Sequence, residues 1–260
     1  MSIYSSSRNP VGNRLLAALP QDEYERLLPK LEPVFLSLKQ ILYEPNEPIE
    51  YVYFPTDGII SLVNITTNGG TAEAATVGSE GMVGISILLG ANKMLCQSVV
   101  QVAGHGVRMR ADVFIRVVTP GSQLYRKLLR YTLLLMNLIS QTVVCNSLHS
   151  VEQRCCRWLL TCEDRVGSNS FLLTQEFLAQ MLGVQRPTVS VFAATLQQAG
   201  LIRYSRGKMT ICDRKSLEAT TCECYWMIKQ EFERLLKDDE NDFSAQIFQQ
   251  QANGQFEYLR

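Results

Sequence analysis

Histidine is scarce in this chain, with two copies in 260 residues, and tryptophan is equally rare. Eight cysteines are present, at 96, 145, 155, 156, 162, 212, 222 and 224, yet none falls in a CxxC pair. With His105 and His149 as the only imidazoles, no metal site is expected from spacing. Net charge is absent too, because 25 basic residues balance 25 acidic ones. That excludes a chain-wide polycation and leaves only local patches to meet an anionic partner. No nucleophile stands with a base, and no phosphate-cradling strand-loop-helix is found, so no enzyme is expected. Residues 1–10 are polar and Ser-rich and lack the apolar run of a secretory leader. Free thiols in such a chain point to a reducing cytoplasm.

One uncharged stretch, 131–151, is long enough to invite a membrane reading. Its content argues otherwise, since Asn137, Ser140, Gln141, Asn146 and His149 would each be costly in hydrocarbon. It reads as an interface helix, and no membrane partner is expected. Cys155, Cys156 and Cys162 lie in an apolar helical pattern at 151–165 and read as small buried hydrophobes. Cys222 and Cys224 form a CxC that could be redox-active.

What is present falls into distinct textures. Residues 14–31 carry Leu15, Leu16, Leu19, Tyr24, Leu27 and Leu28 at helical spacing. Short β runs follow at 34–38, 41–43, 51–54, 59–65, 71–77, 97–102 and 107–109. They are separated by turn residues at 45–48, 57–58, 68–70, 78–81 and 104–106. Many short strands at this spacing predict a jelly-roll sandwich. After a short helix at 112–118, Leu124, Leu128, Tyr131, Leu135, Leu138, Thr142 and Cys145 repeat in steps of four and three. This heptad seam could pack on the sandwich. The helix is also apolar at Leu133, Leu134 and Ile139, so one face is expected on the protein and the seam on a second copy.

The segment 172–211 is the most informative. Thr174 can cap a helix in which Phe177, Leu178, Met181 and Leu182 recur, and Gly183 supplies a turn. Pro187 suits the first turn of a second helix with Val189, Phe192 and Leu196 on its buried stripe. Runs at 201–204 and 209–211 then predict a hairpin turning at 205–208. No Asp or Glu lies between Gly183 and Thr210, whereas Arg186, Arg203, Arg206 and Lys208 do. A winged helix-turn-helix that docks phosphates is the expected result. A further helix is expected past Leu217 to about 237, before an acidic run and a mobile Gln-rich end.

Sandwich, long helix and winged helix in this order resemble the Crp/Fnr superfamily of bacterial transcription regulators over nearly the whole chain. The likeness is concentrated at 42–58, LYEPNEPIEYVYFPTDG, and at 173–190, LTQEFLAQMLGVQRPTVS. In the first, Asn46 stands where Gly is common, which its tolerance of positive φ allows. The resemblance implies an α+β fold: a flexible start at 1–13 and a cyclic-nucleotide-binding-like sensor at 14–122. A dimerisation helix at 123–147, a winged helix-turn-helix at 148–225, and a terminal helix with tail at 226–260 complete it. It also implies a homodimer on double-stranded DNA, with RNA polymerase as a partner if it activates.

Within the likeness, Arg186 matches the family's guanine-reading Arg, whose guanidinium spans O6 and N7, and Thr188 matches a phosphate contact. Pro187 and Val191 replace an acidic and a basic reader, leaving Gln185, Thr188 and Ser190 as further candidates beside Arg203, Arg206 and Lys208. In the sensor, Met82 replaces the acid that holds a ribose and no Arg precedes Ser98, so cyclic AMP is not expected in the usual manner. The first Cys is at 96, so no iron-sulfur cluster is expected, and neither His reads as a haem ligand. A cyclic dinucleotide is the remaining effector class. RKLLR at 126–130 resembles an RxxxR clamp through Arg126 and Arg130, with Arg108 and Arg110 near in sequence and Gly81 and Gly84 offering backbone amides. The alternative from another class is a signalling adaptor that binds a protein rather than DNA.

Overall fold

The computed structural model describes residues 12–236; residues 1–11 of the expected flexible start and the Gln-rich tail lie outside them, whereas Asn13, the last residue of that start, is buried and donates to the Pro55 and Gly81 carbonyls at 2.9 and 2.8 Å. Two short helices, α1 (Arg14–Ala17) and α2 (Gln21–Leu27), lead in. Pro20 separates them and stands at the N-cap of α2. The sandwich follows: β1 (Glu32–Leu36), β2 (Ile41–Tyr43), β3 (Tyr51–Pro55), β4 (Ile59–Ile65), β5 (Thr71–Val77), β6 (Gln97–Val102) and β7 (Gly104–Arg110). They form antiparallel sheets of order β1-β7-β3 and β2-β6-β4-β5. Asn46 has φ 62°, as its substitution for Gly requires.

The run 104–106 is strand rather than turn. Gly104 and Gly106 sit in β7 because a Cβ there would meet the backbone of Gly58 and Phe54 respectively. Glycine serves close strand approach at this place, not reversal of the chain.

α3 (Ala111–Val117) leads to the 26-residue α4 (Gln123–Leu148), whose N-cap Ser122 accepts a hydrogen bond from Tyr125 N at 3.1 Å. By length and composition α4 could cross a membrane. Its heptad seam, however, faces the chain's own core. Leu124, Leu128, Tyr131, Leu135, Leu138, Thr142 and Cys145 are all buried, most of them against the sandwich interior. The expectation that this seam meets a second copy is therefore corrected: the sandwich leaves an apolar face open, and the most regular stripe of α4 closes it. A different face stays out, carrying Leu133, Met136 (62% exposed), Val143, Val144 and Leu148 (75% exposed).

α5 (Val151–Val166) starts at a capping box between Ser150 and Gln153 and ends at Gly167 in the left-handed region. A small sheet of order β8-β10-β9 then holds β8 (Ser170–Leu172), β9 (Ile202–Ser205) and β10 (Lys208–Ile211). Between β8 and β9 lie α6 (Gln175–Leu182) and α7 (Arg186–Gln198). The expected helix past Leu217 is two helices, α8 (Arg214–Thr220) and α9 (Cys224–Leu236), and α9 packs on α4. Arg214 of α8 holds this end to α5 through Glu163 and Asp164, at 2.9 and 2.7 Å, and donates to the Tyr225 hydroxyl of α9 at 2.7 Å.

A second core joins Ile59 and Val63 of β4 to Trp158, Leu159, Leu178, Val189 and Phe192, so the C-terminal half is docked on the four-stranded sheet. Polar groups line that contact. Glu73 Oε1 accepts from Trp158 Nε1 at 3.1 Å, and Ser61 Oγ stands 2.7 Å from Glu73 Oε2 and 2.5 Å from Gln101 Oε1. Gln101 Nε2 donates to Cys162 Sγ at 3.3 Å. Ser61 has one hydrogen for two acceptors, so a protonated Glu73 completes the chain. Burial pushes the Glu73 carboxyl up to about 7. Because the folded value exceeds the unfolded one, the stability it contributes is full below about 4.5 and is lost as pH rises through about 7. Denaturant titrations should show stability falling by up to about 1 kcal/mol per pH unit across that window, with Glu73→Gln flattening the decline. An unchanged profile in the variant would show that Glu73 does not carry it.

Candidate nucleic-acid interface

Local chemistry builds the helix pair. Thr174 caps α6 by accepting from Phe177 N at 3.1 Å, Glu176 lies in the positive first turn, and Gly183 leaves the helix at φ 63°. Val189, Phe192 and Leu196 of α7 are buried as their spacing demands, with Pro187 in the first turn. Leu178, Met181 and Leu182 of α6 face them in the same core.

That packing turns the other side of α7 outward. Gln185, Arg186, Thr188, Val191 and Thr195 are exposed; Thr195 was not singled out by sequence and shares the outward face with Thr188 and Val191. No side chain caps the start of α7, so its positive end faces solvent. Ser190 is half-buried and already engaged within the helix pair. Its hydroxyl donates to Gln175 Oε1 at 2.8 Å and lies 3.2 Å from the Arg186 carbonyl, bracing α7 against α6. Gln175, the partner in that brace, has no sequence signature beyond its place after a cap.

The hairpin is tighter than read. β9 and β10 pair Ser205 with Lys208, leaving a two-residue turn of Arg206 at φ 51° and Gly207 at φ 76°. Both positive values are those of the turn whose twist matches a hairpin. Tyr204 anchors this wing: its hydroxyl donates to the Leu173 carbonyl at 2.9 Å and its amide to Gln197 Oε1 at 2.8 Å. Arg203, Arg206 and Lys208 are exposed on it. Among the described residues, none of these three cations and not Arg186 is held in a salt bridge, whereas Arg26, Arg108, Arg110, Arg116, Arg165 and Arg214 all are. Four cations without carboxylates, on one helix start and one wing, suit a row of phosphates.

The sensor residues are arranged differently. The 78–84 loop is closed by the chain itself: the Tyr131 ring occupies the space a Cβ on Gly81 would need, and its hydroxyl donates to the Met82 carbonyl at 3.0 Å. Glu80 forms a buried ion pair with Arg165 of α5 at 2.9 Å, the side chains 6% and 7% exposed. Gly84 turns the chain at φ 94° against Val52. Arg108 pairs with Glu32 and stacks over Tyr51, and Arg110 pairs with Asp112. On α4, Arg126 has a buried Nε without a hydrogen-bond partner. A cleft of about 270 Å³ lies where Glu80, Asp164, Arg165 and Phe232 meet, and none of Gly81, Gly84, Arg108, Arg110, Arg126 and Arg130 lines it. This cleft is thus not the place where the six residues meet.

Residues 153–220 match the family model of the Crp-like helix-turn-helix domain. No curated protein matches the sequence. Among solved structures the fold is shared with FixK2 from Bradyrhizobium japonicum, at TM-score 0.63 and 16% identity over 74% of this chain and 98% of that one. A transcriptional regulator of the CRP/FNR family from Thermus thermophilus aligns at TM-score 0.61 and 18% identity, over 73% and 97% of the two chains. The c-di-GMP responsive global regulator CLP from Xanthomonas campestris aligns at 0.60 and 14%, over 75% and 100%. The chain thus carries a Crp-like helix-turn-helix domain on a Crp/Fnr-type fold: sandwich, long helix and C-terminal helix-turn-helix.

Proposed function

We propose that this chain is a sequence-specific DNA-binding transcription regulator acting as a homodimer, with a binding rather than a catalytic role. The observation that carries this reading is the exposed set Arg186, Arg203, Arg206 and Lys208, in no salt bridge among the described residues, on the start of α7 and the adjoining wing of a helix pair whose buried side is complete. Arg186 reads a base, Thr188 and Gln185 flank it, and the wing cations hold the backbone. The outward face of α4, with Leu133, Met136, Val143 and Leu148, supplies the surface for the second copy in place of the buried seam. If it activates, RNA polymerase is its further partner.

The sensor answers to something other than cyclic AMP in this reading. Tyr131 and Met82 fill the loop that would cradle it, and Glu80 is committed to Arg165. Cyclic di-GMP is the proposed effector class, through the unpartnered Nε of Arg126 with Arg130 a turn away and by likeness to a regulator described as c-di-GMP responsive. Any effector acts by its difference in affinity for two arrangements of the paired recognition helices.

Selection from random duplex DNA tests the central claim. The purified chain should enrich an inverted repeat whose half-sites lie about one helical turn apart. Enrichment of a single half-site would remove the dimer, and no enrichment over bulk DNA would remove sequence-specific binding.

A further inference from the structure

We propose that Cys145, His149, Cys222 and Cys224 form a tetrahedral Cys3His site for a zinc-class divalent ion, clamping the end of α4 to the α8–α9 junction. Their donor atoms all lie within 4.8 Å of one another. The spacing explains how they meet. Cys145 and His149 are four apart, one turn, on the last turn and C-cap of α4, while the CxC straddles the start of α9.

Two of the separations match a coordination shell, and the rest lie within 4.8 Å. Zinc bonds of about 2.3 Å to sulfur and about 2.0–2.1 Å to nitrogen, at tetrahedral angles, place two sulfurs about 3.8 Å apart and a sulfur and nitrogen about 3.6 Å apart. Cys145 Sγ and Cys222 Sγ are 3.6 Å apart, and Cys224 Sγ and His149 Nδ1 are 3.5 Å apart. A disulfide would need about 2.05 Å. All three cysteines are buried, so four protein donors close the site to solvent, as in structural zinc centres.

The surroundings support it independently. Glu223, the middle residue of the CxC, lies 3.2 Å from His149 Nε2. A carboxylate on that nitrogen holds the tautomer whose Nδ1 is free to ligate. Gln141 Nε2 donates to Cys224 Sγ at 3.0 Å. Three thiolates around a dication leave one negative charge, and Arg154 and Arg157 of α5 lie within electrostatic reach of Cys145, each with a buried Nε lacking a partner. Soft thiolates with one imidazole favour zinc over magnesium or calcium. Binding exchanges up to three thiol protons for the ion, with no change of oxidation state. Because the chain passes through His149 and Ser150 from α4 into α5, the clamp fixes the angle at which the long helix hands over to the DNA-binding half.

The full-length chain, purified under reducing conditions, should contain about one zinc by elemental analysis. After removal of zinc, cobalt(II) should restore one equivalent with the intense visible bands of a tetrahedral thiolate site. Stripping should lower the thermal midpoint by about 10 °C. Glu223→Ala, at an exposed position, should keep the fold and weaken zinc about 10–100-fold, which a merely packed cysteine cluster would not show. Cobalt that stays in its octahedral aqueous form with the reduced wild-type chain would overturn the site. So would iron with acid-labile sulfide in place of zinc, or a Cys145–Cys222 disulfide in the freshly purified protein.

Discussion

Arg165→Met is expected to cost about 3–5 kcal/mol of folding stability, because it leaves the Glu80 carboxylate buried without its cation. Glu80 belongs to the loop before Met82 in the sandwich, and Arg165 to the last turn of α5, so the pair spans the two halves of the molecule. The Gly78 amide donates to the same Glu80 oxygen at 2.9 Å, and Arg165 also bonds the Thr76 hydroxyl. Neither contact replaces the lost charge. The thermal midpoint should fall on the order of 10 °C. Adding Glu80→Gln to Arg165→Met should recover most of the loss, since removing both charges leaves no orphan. A single variant that melts with the wild type would show that water reaches the pair.

Arg186→Ala should weaken binding to the selected DNA site by about 1–3 kcal/mol, roughly 5- to 150-fold, and relax preference at one base pair. The guanidinium is exposed at the first turn of α7 and is held by no acid among the described residues, so its hydrogen-bonding edge faces outward. Lys208→Ala gives the contrast. It should weaken all duplexes alike and lower the salt slope of binding by about one, as loss of a single phosphate contact demands. Fluorescence anisotropy across a salt series separates the two. Unchanged base preference after Arg186→Ala would reject its role as a reader.

Much of the fold was legible because its signals are local. Alternating apolar runs placed β2, β4, β5 and β6 at their observed bounds, and Thr174, Gly183 and Pro187 marked the ends of α6 and α7. The missed strand β8 has three residues and exists only through pairing with β10. Leu172, 60% exposed within it, shows no alternation long enough to read. The break at 221–223 was missed because Leu217 and Tyr225 both point into the core and continue an apolar pattern across it.

The candidate site divides the same way. Arg186, Arg203, Arg206 and Lys208 were visible as a gap in acidic residues, and the structure adds that they are exposed and, among the described residues, in no salt bridge. The Ser190 bond to Gln175 was not legible because that partner lies on another helix.

By itself, the order of residues determined the sandwich, the long helix, the helix pair and the cationic wing, since each rests on periodicity or capping within a dozen neighbours. Only tertiary packing decided which stripe of α4 turns inward, that Glu80 meets Arg165, and that His149 joins Cys145, Cys222 and Cys224. Those outcomes depend on what the rest of the chain lays against each residue, over separations of some 50 to 85 positions, and no short window of sequence contains that information.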